Sequence, residues 1–315
     1  MPESPHPVLL NREQSVGYIA QHYKPQLDLL TQMVNYASNL MPRAFGSSEK
    51  QMADLMVCYG FLKQFATMLD AAEVLLRAGS VHAAFVPLRV AFEASLYLEW
   101  LLVSDGERKA KHYFVGEIRK ERIWGLRAQS APSESAFLSD MGELGVDIIG
   151  KRPDLSADGV KHVADTDRIL ALPEYGPVNA AYEAVKSNDR RHREPTWYKV
   201  LGKGSIAAIA RELRRAPEYT IYYGNASQVV HSSSYKDQMT FNGKSKGKAV
   251  SASPIRSLAD AHIAFNYAFT TAMHVFHRVI AFYRPDELHA HSIKYVTEWR
   301  AAFVNIPSIV VKAAN

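Results

Sequence analysis

Between Tyr219 and Tyr235 the chain reads Tyr-Thr-Ile-Tyr-Tyr-Gly-Asn-Ala-Ser-Gln-Val-Val-His-Ser-Ser-Ser-Tyr, and Tyr219, Tyr223, Ser227, His231 and Tyr235 recur at intervals of four. On a helix that spacing stacks side chains one turn apart along a slowly winding stripe. Arg89, Glu93 and Tyr97 repeat the device in a second stretch. Apolar residues crowd both ladders: Ile221, Tyr222, Val229 and Val230 around the first, Val90, Phe92 and Leu96 around the second. Polar groups among apolar neighbours need partners when buried. The two ladders are therefore expected to face each other and to share one hydrogen-bonded site.

His231 is the ladder residue that titrates near neutral pH, which makes it the candidate general acid or base. Glu93 is placed to orient it, and Arg89 to bind an anion bidentately. Tyr223 and Ser227, with Tyr219 and Tyr97, are the candidate substrate-binding groups. Alternatively, Ser227 is a nucleophile activated by His231 one turn away. Arg89 and Glu93 at i, i+4 would add only about 0.3–0.5 kcal/mol as an exposed ion pair. Ala84, Phe85, Leu88, Phe92, Leu96 and Leu98 argue against that exposure. A buried pair costs desolvation, so it is better explained if it organises a site. The competing account makes His231 a satisfied core histidine in a polar network.

Other chemistries find no support. There is no phosphate-binding Gly-rich loop, no dinucleotide fingerprint and no His-Glu-x-x-His. The single cysteine, Cys58, lies among Leu55, Met56, Val57 and Tyr59 and reads as a buried core thiol. His274 and His277, like His289 and His291, lack an acidic partner at ligand spacing and read as ordinary histidines. No metal or cofactor is expected. Arg119, Lys120, Arg122 and Arg127, with Arg190, Arg191 and Arg193, are solvated surface unless they ring the site, where they would hold phosphates. Trp124, Trp197 and Tyr198 offer stacking faces there, or act as core anchors.

The elements that must position these residues are helices. Apolar residues recur at three and four from Ser15 to Leu40, with a kink or helix start at Pro25. Further helices are expected at 49–77, closed by Gly79; at 81–103, with Pro87 inside; and at 107–128. Others follow at 157–171, 178–189, 205–215, from Pro217 through the ladder, at 255–283 and at 292–303. Residues 129–160 are less regular, and 232–254 form a long polar loop. No strand-like alternation is visible. The chain is expected to be a single all-α domain over 1–315, a helical bundle of seven or more helices after a loose arm at 1–12.

Charge and composition narrow the setting. Apolar residues make up 47% and charged residues 22%, with a formal charge of +5, a mild tilt towards anionic partners. The run Val81–Val103 is long enough to cross a bilayer but carries Arg89, Glu93 and Glu99, so it reads as a buried helix. The N-terminus lacks a signal-peptide pattern, and the expected location is cytoplasmic.

Pro87-Leu88-Arg89-Val90-Ala91-Phe92-Glu93, then Ala110-Lys-His-Tyr113, Trp197, Tyr219, Tyr223, Ser227 and His231 resemble a bacterial family catalogued as domain of unknown function 5677. Its pattern is similar to an Arg-x-x-x-Glu helix followed by Tyr-x-x-x-Ser-x-x-x-His, here spanning roughly residues 75–234. That family looks related to HEPN-like and abortive-infection proteins, many of which cleave RNA as toxins or defence components. The resemblance thus implies a metal-independent ribonuclease acting on RNA or another phosphate-bearing ligand, and is compatible with a homodimer. HEPN ribonucleases carry an arginine shortly before their histidine; here Gly224, Asn225 and Ala226 stand there, leaving Arg89 as the cation. The alternatives are a non-catalytic helical module that binds a ligand or partner and senses infection, and a small-molecule hydrolase using Ser227 and His231.

Overall fold

The apolar spacing near the N-terminus becomes one helix, Arg12–Gly46, in a computed structural model of the chain that describes residues 9–129, 156–231, 238–241 and 250–308. Asn11 caps it by accepting from the Gln14 amide at 3.0 Å. Tyr23, with φ −125° and ψ 21°, marks a kink two residues before Pro25, whose ring and missing N–H disrupt the turn behind it. The helix runs six residues past the expected end because Ala44 continues the buried stripe of Ala37 and Leu40.

Two compact units make up the chain, residues 1–106 with 206–315, and residues 107–205. In the first, the stretch expected as one helix at 49–77 is Met52–Leu55, a π-helical turn at Met56–Phe61, and Leu62–Arg77. Cys58 is fully buried in that turn, and burial pushes its thiol up to about 11. Gly79 ends the Leu62–Arg77 helix with φ 70°, while the Ser80 amide bonds the Leu75 carbonyl at 2.8 Å. A Cβ at Gly79 would lie 2.8 Å from the Ser15 carbonyl oxygen.

The apolar helix is Val81–Val103, the one helix among the described residues long and apolar enough to span a membrane. Here it is a core element: Phe85, Leu88, Phe92, Leu96, Leu98 and Trp100 are all buried. It packs against Leu62–Arg77 and against the long helix Ala261–Tyr283, which contributes Phe265, Phe269 and Phe276 to the same core. Four short segments follow, a 3₁₀ turn at Pro285–Glu287, Leu288–Lys294, a π turn at Tyr295–Trp299, and Arg300–Val304. Their Trp299 and His291 enclose an aromatic cluster with Tyr36 and Phe276. Neither ring nitrogen of His291 has a partner among the described residues, and burial, then the charges of His277 and Arg43, lower it to about 4.

The long polar loop holds an unanticipated ribbon. Met239–Phe241 pairs antiparallel with Val250–Ala252, three residues on each side. The remainder of 232–249, including Tyr235, lies outside the described residues, as does most of 129–160.

In the second unit, Gly106–Gln129, Ser156–Leu170, Gly176–Asn188 and Trp197–Val200 are helical. Tyr182 is fully buried and donates to the His112 carbonyl at 2.6 Å. Gly116 is needed beneath it, since a Cβ there would sit 2.5 Å from the Tyr182 hydroxyl. Arg119 is buried over the Tyr182 ring, bonded to Glu194 and Asn179 and paired with Glu183 at 2.7 Å. A cleft of roughly 180 Å³ opens beside it, lined also by Arg122, Asp167 and Lys186. Arg119 and Arg122 are both neutralised by carboxylates there. The fold is all-α, with more than seven helices among the described residues.

Two outcomes follow from these contacts. Gly79→Ala forces a side chain into the left-handed region and against Ser15, and should cost about 1–2 kcal/mol in urea unfolding. For His291, the unfolded chain binds a proton below about 6.5 that the folded chain refuses until about 4. Stability should therefore fall as pH drops through that window, and His291→Phe should flatten the fall in urea titrations across it.

Candidate functional site

The segment carrying the first ladder starts at an unusual turn. Arg214 ends helix Ile206–Glu212 with φ 60°, a left-handed position usually held by glycine, while the Arg215 amide bonds the Ala210 carbonyl at 2.7 Å. That reversal sends Arg215 into the core, where it is 2% exposed. Its Nη1 donates to Ser95 at 3.0 Å and Glu99 at 3.3 Å on the apolar helix. Its Nε and Nη2 donate to Glu218 Oε2 at 2.9 and 2.6 Å, and the guanidinium lies 4.8 Å from the centre of the Phe92 ring. Glu99 also takes Arg278 at 2.9 Å, and Glu218 Oε1 takes His274 Nε2 at 3.0 Å.

After Ala216–Glu218 the backbone does not continue as a plain α-helix. Tyr219–Tyr223 is a π turn, closed by the Gly224 amide on the Tyr219 carbonyl, and Gly224–Val230 resumes the α form. Within this turn Tyr219 and Tyr223 stack, with centroids 4.7 Å apart and planes 19° from parallel. Tyr222 stacks instead on Tyr267 of the long helix, at 4.8 Å and 17°. The segment runs antiparallel to both neighbours. Against the apolar helix, Arg215 meets Ser95 and Glu99 while Tyr223 meets Arg89 and Glu93; against the long helix, Glu218 meets His274 and Tyr222 meets Thr270.

Arg89 and Glu93 do not form the expected intrahelical ion pair; among the described residues no carboxylate lies within 4 Å of Arg89. They share one hydroxyl instead. Arg89 Nη2 donates to the Tyr223 hydroxyl at 3.0 Å, which lies 3.5 Å from Glu93 Oε2. Tyr97 donates to Glu93 Oε1 at 3.1 Å. The Arg89 guanidinium also lies 4.8 Å from the Tyr223 ring centre, and its buried Nε has no partner. Burial, then the Glu93 charge, hold the Tyr223 phenol above its ordinary value despite Arg89, so it stays a protonated donor.

Thus Arg89, Glu93, Tyr97, Tyr223 and Tyr219 come together, while Ser227 and His231 do not join them. An i, i+4 stripe turns by about 40° at each step. The buried face corrects for this by stepping from Tyr223 to Ala226, three residues on, which is fully buried. Ser227 is left at the margin, and His231 is the exposed C-terminal cap of the helix. Eight residues, or about 12 Å of helical rise, separate His231 from Tyr223. Glu93 orients tyrosines, not His231, and Ser227 and His231 are joined by the His231 amide on the Ser227 carbonyl at 3.0 Å, not through their side chains.

The residues that residue spacing did not expose are Arg215, Glu218 and His274. Each makes a contact across helices, and the acidic partner of His274 lies 56 residues away in sequence, beyond any local ligand spacing. Burial would raise Glu218, but the hydrogen bond from His274 and the charge and hydrogen bonds of Arg215 outweigh it and hold the carboxyl below its ordinary value. Among the described residues no group of three or more His, Cys, Asp or Glu side chains is arranged to hold a metal ion. Tyr267 is fully buried beside Phe92, its hydroxyl unpartnered among the described residues.

Replacing Arg215 by Met would leave Glu99 and Glu218 with their weaker, more exposed partners Arg278 and His274. The loss should approach about 3 kcal/mol in urea unfolding, as expected when one member of a buried ionic network is removed.

Comparison with known proteins adds one finding. No curated protein and no solved structure matches the chain. Residues 55–246 match the model of a family of unknown function, a span of more than half the chain that takes in Arg89, Glu93, Tyr97, Arg215, Glu218, Tyr219, Tyr223, Ser227 and His231. It ends before the helix that carries Tyr267 and His274. The protein belongs to the Family of unknown function (DUF5677).

Proposed function

We propose that the protein is a metal-independent ribonuclease of the HEPN-like kind, acting in the bacterial cytoplasm as a toxin in anti-phage defence. One observation carries the reading: Arg89 is a half-buried cation held in place by Tyr223, with no carboxylate within 4 Å and with a buried Nε that has no acceptor among the described residues. Its neighbours Arg215 and Arg278 are both neutralised by glutamates. A cation positioned but not neutralised is a site for an anion, and a guanidinium suits the oxygens of a phosphodiester. The stacked Tyr219 and Tyr223 beside it offer an aromatic face of the kind on which bases stack.

RNA brings its own nucleophile, the 2′-hydroxyl, so its cleavage needs proton transfer and stabilisation of phosphoryl charge. Arg89 supplies the charge stabilisation. Tyr223 and Glu93, braced by Tyr97, hold Arg89 at a fixed distance from the aromatic pair. Proton transfer falls to an imidazole within reach of the bound phosphodiester.

A non-catalytic ligand-binding module is the second reading, favoured by Glu93, which already accepts from two tyrosines as a structural carboxylate would. Cleavage of RNA by purified protein in the presence of a metal chelator separates the two. Arg89→Ala should lower the rate about 100-fold or more, with the unfolding midpoint nearly unchanged. If Arg89→Ala cleaves as fast as wild type, the ribonuclease assignment to this site fails.

A further inference from the structure

We infer that His274, oriented by Glu218, is the general base of this site. The inference rests on the RNA-cleaving reading above for its chemistry, but on separate residues for its geometry. His274 Nε2 lies 3.0 Å from Glu218 Oε1. An ionised carboxylate only accepts, so Nε2 carries the hydrogen, and in the neutral imidazole Nδ1 carries the lone pair. Nδ1 has no partner among the described residues, and the side chain is 40% exposed. The imidazole is therefore held in one tautomer with its basic nitrogen open to a ligand.

The carboxylate that orients it is itself immobilised. Glu218 Oε2 accepts two hydrogen bonds from Arg215, which is buried and anchored on Ser95 and Glu99 of the apolar helix. Glu218 stays ionised because His274 and Arg215 together outweigh its burial. The charged groups facing His274 are thus Glu218 directly and Arg215 behind it, with the Arg278–Glu99 pair one turn further along its own helix. A base oriented by a fixed third group is the arrangement that recurs in nucleophile activation. His231 has nothing of this kind: it is an exposed helix cap, and no described carboxylate faces it.

The dyad also lies at the right place along the segment. Tyr219 directly follows Glu218 and stacks on Tyr223, whose hydroxyl receives Arg89. A single π turn separates the carboxylate that holds the base from the tyrosine that holds the cation. A phosphodiester on Arg89 with its base on Tyr219 would bring the ribose towards His274. There the 2′-hydroxyl proton passes to Nδ1 as the 2′-oxygen bonds to phosphorus. The bond from phosphorus to the 5′-oxygen breaks, and that oxygen takes a proton from water. The imidazolium returns its proton to the hydroxide left behind, giving a 2′,3′-cyclic phosphate and a 5′-hydroxyl.

The test uses the full chain and a single-stranded RNA, with an all-deoxy oligonucleotide as the uncleavable probe of binding. His274→Gln should cut cleavage by about 100-fold or more while binding the deoxy probe as wild type does. His274→Gly should regain activity on addition of imidazole, a rescue that a merely structural role would not give. Long-range nitrogen NMR should show the Nε2–H tautomer at His274, lost in Glu218→Gln. His231→Ala should keep most of the activity. Wild-type rates in His274→Gln, or no rescue of His274→Gly by imidazole, would overturn the assignment while leaving the ribonuclease reading intact. A wild type that cleaves no RNA overturns both.

Discussion

The guanidinium of Arg215 is the constraint on which the rest of the site depends. A charge that is 2% exposed is tolerable only if its hydrogen bonds are met, and Ser95, Glu99 and Glu218 meet them. Because those acceptors sit on the apolar helix and at the start of the tyrosine segment, satisfying one buried charge sets the position of one element against the other. Glu99 and Glu218 in turn reach Arg278 and His274, so the same charge fixes the long helix as well. An apolar contact would hold these helices as firmly, but it would not specify the register that brings Tyr223 to Arg89.

Register matters because a single hydroxyl does the work at the centre of the site. Tyr223 stands between Arg89 and Glu93 and keeps the two from pairing directly. Had they paired, as their spacing allows, the cation would have been cancelled within one helix. Placing a neutral donor and acceptor between them satisfies Glu93 with tyrosines and leaves the arginine's charge outward in effect. Within the π turn Tyr219 and Tyr223 lie in near-parallel stack, while Tyr222 faces the other way onto Tyr267.

The apolar helix shows why such a site is stable. Its buried residues cover nearly every direction, with Phe85, Leu88, Phe92 and Trp100 in the core, and its polar residues Arg89, Glu93, Ser95 and Glu99 each meet a partner across a helix or along it. Phe92 lies at the middle, under Arg215 on one side and near Tyr223 and Tyr267. The hydrophobic burial that stabilises the bundle and the low-dielectric surroundings that strengthen the polar contacts thus come from the same side chains.

Much of this is legible in the sequence, because helical periodicity is a local property. The spacing of Ile19, Leu27, Leu30 and Met33, the glycine at 79, the apolar run at 81–103 and the absence of alternation suffice for an all-α bundle, and Cys58 reads correctly as a core thiol. Arg89, Glu93, Tyr97, Tyr219 and Tyr223 stand out for the same reason: polar residues one turn apart among apolar ones must meet something. What they meet is decided by tertiary structure. The rule of four placed Ser227 and His231 on the same stripe, but the buried face steps by three to Ala226, where a small side chain lets the helices approach. Arg215, Glu218 and His274 carry no pattern that sequence spacing can reveal, since their partners lie 56 residues or more apart on other helices, Glu218 and Arg215 excepted. The sequence determined which side chains needed partners; only packing, by fixing the register of the tyrosine segment against two helices that run opposite to it around one buried charge, decided which partners they took.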